Sequence, residues 1–241
     1  MGSKKKDTTK ATKRDAPVTP EVHLYVLLDR SGSMAAMADD VIGGFNRLLT
    51  DQQADGADAR MTLVQFDSHD VQHVVADAVP IGEMVPLDSS TFVPRAATPL
   101  LDATGILLGR ASARVASQKA DGLPAEEIVV VSITDGHENA SREYSLSTVT
   151  QLVGAHTAAG WSFVFLGAAL DVYGEAGGLG YDPRSVQAFA PDGAGAALAF
   201  ESLSRATSTR RQAVRQMVDY DVGDFFEGDK PAEADRSERH G

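Results

Sequence analysis

The run Ile128 to Thr134, Ile-Val-Val-Val-Ser-Ile-Thr, carries no charge and offers water no polar face. So β-branched a stretch suits a strand covered on both sides, which requires helices above and below it. Val22 to Leu28, broken only by His23, reads the same way, and so does Trp161 to Leu166, with Trp161 and Phe163 expected in the core. Segments of helical spacing lie between these runs. Met34, Met37, Val41, Ile42, Phe45, Leu48 and Leu49 form the first. Pro99 to Ala116 forms the second, with Leu101, Leu108 and Val115 on one stripe and Pro99 tolerated in its first turn. Ser145 to Ala158 forms the third, with Leu146, Val149, Leu152 and Val153 turned inward and Gly160 ending it. Arg60 to Phe66 and Val71 to Val79 flank the polar turn Asp67-Ser68-His69-Asp70 and predict a β-hairpin. A long irregular stretch, Pro80 to Ala97, follows the hairpin. A short helix over Asp171 to Ala176, a glycine-rich turn, a weak strand over Val186 to Phe189 and a helix over Ala194 to Ala206 complete the reading. Strands alternating with helices predict an α/β fold. Its sheet is mainly parallel with one antiparallel edge strand, and helices cover both faces.

The two ends differ from this middle. Residues 1–20 are polar, end in Pro17 and Pro20, and carry a net charge of +4. They are expected to form a disordered basic arm, in part vector-derived. Residues 218–241 are expected to form an acidic, largely disordered tail. Tyr220, Phe225 and Phe226 interrupt its start; they either pack back on the domain, which spans 21–217, or serve as a short docking motif, and packing is the expectation. The whole chain has a net charge of −12, which argues against broad nucleic-acid binding or attraction to an anionic membrane. It has no cysteine, so thiolate metal sites and Cys nucleophiles are excluded. No apolar stretch approaches the roughly 20 residues of a membrane helix, and the basic N-terminus lacks an apolar signal core. A cytoplasmic protein is the expectation.

Three loops carry the chemistry. Asp29-Arg30-Ser31-Gly32-Ser33 joins the first strand to the first helix. In an open α/β sheet, ligand sites gather at such loops beyond the carboxyl ends of strands. An Asp and two Ser at alternating positions offer only oxygen, the chemistry of a hard cation such as Mg²⁺. Thr98 precedes the second helix, and Asp135 ends the Ile128 to Thr134 strand. Each alone has a plain structural explanation: Ser31, Ser33 or Thr98 as a helix cap, Asp135-Gly136 as turn chemistry. Together they would place oxygens from three loops at one sheet edge.

Asp29-x-Ser31-x-Ser33, Thr98 in Thr-Pro-Leu-x-Asp-Ala, and Thr134-Asp135-Gly136 resemble the von Willebrand factor A domain and its metal-ion-dependent adhesion site. The resemblance covers about Glu21 to Ala206, and its flavour is that of intracellular bacterial members. It implies a Rossmann-like three-layer fold. By the same resemblance, Ser31, Ser33 and Thr98 would approach a metal through hydroxyls, and Asp29 and Asp135 directly or through waters. The implied ion is Mg²⁺, with Mn²⁺ or Ca²⁺ as alternatives. Its open position would accept a Glu or Asp from a protein partner. Arg30, His137, Glu138 and Asn139 would form the rim that selects this partner. Intracellular members of the family often work beside AAA+ ATPases, here necessarily a separate polypeptide.

The sequence admits other readings. His69 and His73, near Asp67 and Asp70, suggest a zinc site. Asp102 either braces the Thr98 loop or faces solvent. Asp29 and Asp135 could carry a metal-bound water for phosphoryl hydrolysis, with His137 as the one nearby base. A scaffold that keeps the fold without the metal is the third reading. The phosphate loops G-x-x-x-x-G-K-[ST] and G-x-G-x-x-G are absent, as is the G-x-S-x-G elbow.

Overall fold

The structure, a computed structural model, describes residues 21–168, 171–190, 192–221 and 225–226. The basic arm and the acidic tail beyond 226 lie outside the described residues.

Six strands form one sheet in the order β3-β2-β1-β4-β5-β6. They are β1 (Val22–Asp29), β2 (Ala59–Asp67), β3 (Asp70–Pro80), β4 (Glu127–Thr134), β5 (Ser162–Gly167) and β6 (Val186–Ala188). All neighbours pair in parallel except β2 and β3, the hairpin. Among the described residues, α1 (Ala38–Ala54), α2 (Leu100–Ala120), α3 (Leu146–Ala158) and α4 (Val172–Gly178) connect strands, and α5 (Gly193–Gln216) follows β6.

The strict alternation of β1 explains the two layers. Val22, Leu24, Val26 and Leu28 meet Val41, Phe45 and Leu48 of α1 and Phe200 and Leu203 of α5. Tyr25 and Leu27 face the other way, into a cluster with Leu107 and Leu108 of α2, Val149 and Val153 of α3, and Val172 of α4. Phe225 and Phe226, 3% and 1% exposed, pack into the α1/α5 layer, as expected from the sequence. Trp161 is buried, as expected, and its ring stacks on His156 with centroids 4.1 Å apart.

Several boundaries and faces differ from expectation for physical reasons. Helix α2 runs past Ala116 to Ala120, because nothing breaks it before Asp121 and Gly122, the latter at φ 67°. Helix α5 runs past Ala206 to Gln216, because arginines rather than apolar residues anchor its last turns. Leu146, expected inward, is 49% exposed at the start of α3. The irregular stretch after β3 is held from α1. Asn46 donates to the Leu87 carbonyl at 2.8 Å and accepts from the Leu87 amide at 2.7 Å. Gln53 donates to the carbonyls of Ile81 and Met84.

Strand order reverses direction between β1 and β4. The loops leaving their carboxyl ends therefore diverge to opposite faces and open a crevice at the sheet edge. Asp29 ends β1, and Asp135 follows Thr134 at the end of β4.

Candidate metal centre

The three loops are laced together by their own polar groups. Gly32 N donates to the Ala96 carbonyl at 3.0 Å, tying the β1 loop to the Thr98 loop. A Cβ on Gly32 would stand 3.3 Å from that carbonyl, so the glycine permits the approach. Asn139 ties the Thr98 loop to the β4 loop: its amide donates to the Thr98 carbonyl at 3.1 Å, and its side-chain oxygen accepts from Thr98 N at 2.9 Å. Ser33 Oγ donates to Asp135 Oδ1 at 2.7 Å, joining the β1 loop to the β4 loop. Ser31 Oγ lies 3.0 Å from Ser33 Oγ.

Gly136 locates the fifth member. A Cβ built there would meet Thr98 Oγ1 at 3.3 Å and Ser33 Oγ at 3.4 Å, so hydroxyls from two loops flank one small cradle. Asp29, Ser31 and Thr98 are buried, Asp135 is half-buried and Ser33 is exposed, so the set opens outward from a buried floor.

The floor is the buried Asp29 carboxylate. Asp29 Oδ1 accepts from Ser31 N at 2.6 Å, and Oδ2 accepts from Thr134 Oγ1 at 2.6 Å. Burial outweighs these hydrogen bonds and, with Asp135 nearby, pushes the Asp29 carboxyl up to about 6. Burial raises the Asp135 carboxyl as well. Two carboxylates and three hydroxyls around a cradle fit a hard divalent cation. A cation would also relieve the charge that burial makes costly. Affinity for Mn²⁺ or Mg²⁺ should therefore fall as pH drops through about 6, where Asp29 takes up a proton. Calorimetric titrations at successive pH values check this, and an affinity independent of pH in that range would contradict it.

The expected rim is partly reassigned. Arg30 is 5% exposed and its Nε donates to Asp67 Oδ2 at 2.7 Å, so it braces the loop from within. Arg95 Nε reaches the same oxygen at 3.0 Å. Burial works to raise the Asp67 carboxyl, but the Arg95 bond, the amides of His69 and Asp70, and Arg30 together hold it below the usual carboxylate range. Glu138 also turns inward. It accepts from the amides of Leu101, Ala140 and Ser141 and from Ser141 Oγ. Asn139, although exposed, spends its amide and its side-chain oxygen on Thr98. His137 stands out on the surface, 61% exposed, with Nδ1 3.6 Å from Glu175 Oε2.

Asp102 neither faces solvent nor bonds to the Thr98 loop; from the first turn of α2 it braces the segment before α3. It accepts from the amides of Arg142, Glu143 and Tyr144 at 2.7, 2.9 and 2.7 Å. The zinc reading of His69 and His73 is not supported: among the described residues no three His, Cys, Asp or Glu side chains gather as metal ligands. His73 instead lies 3.3 Å from Asp70. Sequence reasoning missed Asp67 and Glu175. Asp67 had a signal, since it ends the strand beside β1 as Asp29 ends β1, and Glu175 had none.

No family profile matches the chain, and no curated protein matches its sequence. Solved structures do match. The pilus adhesin SpaC from Lactobacillus rhamnosus GG, in its open conformation, superposes with a TM-score of 0.57 at 14% identity over 81% of this chain. This chain spans 31% of that adhesin's length. The manganese-loaded Plasmodium vivax TRAP protein gives 0.50 at 17% identity, covering 75% of this chain and 72% of that one. The SpRpn10 VWA domain gives 0.51 at 11% identity, covering 74% and 93%. Among the described residues, no helix is long and apolar enough to cross a membrane. With its mostly parallel six-stranded sheet, its one antiparallel pair and these neighbours, the chain has the von Willebrand factor A fold.

Proposed function

We propose that this chain is a metal-dependent protein-binding module whose site is Asp29, Ser31, Ser33, Thr98 and Asp135. The observation that carries the reading is the convergence of three loops on the Gly136 cradle, with Thr98 Oγ1 and Ser33 Oγ both against it. In this reading the hydroxyls of Ser31, Ser33 and Thr98 hold an Mg²⁺-type ion. Asp29 and Asp135 hold it directly or through waters, and Mn²⁺ or Ca²⁺ can substitute. Once bound, the ion supplies a position at which a Glu or Asp of a partner completes the coordination. The manganese carried by the TRAP protein on the same fold supports this reading. His137, 61% exposed beside Glu175, is the residue of the expected rim that faces the partner, while Arg30, Glu138 and Asn139 hold the loops in shape. A cytoplasmic setting, a domain spanning 21–217 and a separate AAA+ ATPase as partner belong to the same proposal.

Binding to the folded state alone stabilises it by mass action. An ion at a hundred times its Kd adds about 2.7 kcal/mol. For a chain of this size that raises the melting temperature by about 5–10 °C. Melts recorded with EDTA and then with excess Mg²⁺ or Mn²⁺ should show this rise. Identical melts under all three conditions would overturn the proposal.

A further inference from the structure

Two guanidinium groups converge on one carboxylate oxygen beside the metal centre. Arg30 Nε donates to Asp67 Oδ2 at 2.7 Å, and Arg95 Nε donates to the same oxygen at 3.0 Å. Asp67 is 0% exposed, and its Oδ1 accepts from the amides of His69 and Asp70. One negative charge thus serves two positive ones. Asp70 offsets the inner arginine: its Oδ2 lies 3.7 Å from Arg30 Nη2 and 3.3 Å from His73 Nδ1. Among the described residues Arg95 has no such second carboxylate. Its Nε alone is engaged, and its side chain is 47% exposed. The Nη1 and Nη2 donors of Arg95 are therefore unspent.

The backbone fixes where this head stands. Arg95 N donates to the Arg30 carbonyl at 2.7 Å, and the next carbonyl, that of Ala96, accepts from Gly32 N. Thr98 follows three residues later, so its Cα stands within about 11 Å of that of Arg95. The guanidinium is held by Nε at the edge of the loop that carries Ser31 and Ser33. Bracing that loop uses Nε only. The planar fork that remains matches a carboxylate. The chain's net charge of −12 gives an acidic partner no long-range attraction, so capturing one depends on cations placed locally. We propose that Arg95 is a second anchor for the partner, taking a carboxylate next to the one that completes the metal's coordination. The partner then presents a pair of acidic side chains rather than one. This rests on the metal-dependent binding proposed above and deepens it.

The test titrates the full chain, isotope-labelled and saturated with Mg²⁺, with acetylated glycine peptides followed by NMR. One set carries two glutamates, adjacent or separated by one to three glycines. The other carries glutamine in place of either one. The expected result is that one spacing of the two-glutamate set binds about three- to tenfold more tightly than its single-glutamate counterparts. The Nε signal of Arg95 should shift with that peptide. Arg95→Gln should erase the preference and leave single-glutamate affinity unchanged. Asp67 keeps Arg30 and two amides in this variant, so the loop stays folded. Arg95→Lys keeps the charge without the fork and should retain part of the preference. Arg47→Gln, at an exposed residue of α1, removes the same charge and should change nothing. Equal affinities at every spacing, a preference that survives Arg95→Gln, or an equal loss in Arg47→Gln would overturn the proposal. Repeating the titrations with EDTA separates the two claims. Single-glutamate binding that persists undiminished would fail the metal reading, while a two-glutamate preference lost in Arg95→Gln would still stand.

Discussion

Asp29→Asn raises the melting temperature of the metal-free chain at neutral pH and abolishes its response to divalent ions. Both effects have one cause. Asp29 is 0% exposed, and its hydrogen bonds come from an amide and a hydroxyl rather than from a cation. Its carboxyl sits at about 6, so above that pH the fold keeps a buried charge that the unfolded chain would solvate. A group raised in this way contributes fully below the usual carboxylate range, and its contribution is lost as pH rises through 6. Asparagine removes the charge and retains the geometry. Its carbonyl oxygen can still accept from Ser31 N. Its amide group can face Thr134 Oγ1, which has a second acceptor in the Gly136 carbonyl at 3.0 Å. The expected gain is about 2 kcal/mol at pH 7.5, less than the full shift implies because local relaxation screens the charge. That corresponds to about 5 °C in melting temperature, shrinking as pH falls below 6 and reaching zero only below about pH 4, where the unfolded chain is protonated as well. A lower melting temperature for Asp29→Asn without metal, or a retained shift with Mn²⁺, would contradict this account of the site.

Arg211→Met should cost more stability than any surface change, about 3–5 kcal/mol. Arg211 is fully buried on α5 and reaches back to the end of α1. Its Nη1 donates to the Gln52 carbonyl at 2.7 Å and to Gln52 Oε1 at 3.1 Å. Its Nη2 donates to the Gly56 carbonyl at 2.8 Å and to Asp58 Oδ1 at 2.6 Å. Methionine fills similar volume but leaves two carbonyls and a carboxylate short of donors. Arg215, with burial acting against it and Arg211 beside it, holds the Asp58 carboxyl down to about 2. Asp58 therefore stays charged when Arg211 is removed. Arg215 is 31% exposed, and Arg215→Met should cost only about 1 kcal/mol. Urea unfolding of both variants checks the ranking. Arg211→Met should lower the midpoint well beyond Arg215→Met, with the metal response unchanged in both. Equal costs would remove the buried arginine from its role as the clasp between α1 and α5.

Arg211 also shows where the sequence stops being legible. The helical expectation ended at Ala206 because Thr207 to Arg215 holds few apolar residues, and periodicity is a signal of apolar burial. The segment stays helical through contacts to Asp55, Asp58 and Gln52, more than 150 residues away along the chain, which no local pattern encodes. The sheet was legible for the opposite reason. A strand buried on both faces must be apolar throughout, so β1, β4 and β5 declared themselves. The five oxygen-bearing positions were legible because they follow strand ends or precede a helix, where short polar motifs are local. The rim was not. Arg30 looked free until Asp67, placed beside it by the pairing of β1 with β2, proved to hold it. Glu138 looked free until the backbone amides around it came into view.

The central claim is that Asp29, Ser31, Ser33, Thr98 and Asp135 share one divalent cation. Crystals grown with MnCl₂ and measured at the manganese edge test it most directly. The account predicts one anomalous peak against Gly136, within coordinating reach of the Ser31, Ser33 and Thr98 hydroxyls and absent from Asp29→Asn crystals. A map with no peak there, or with manganese bound elsewhere on the chain, would contradict it.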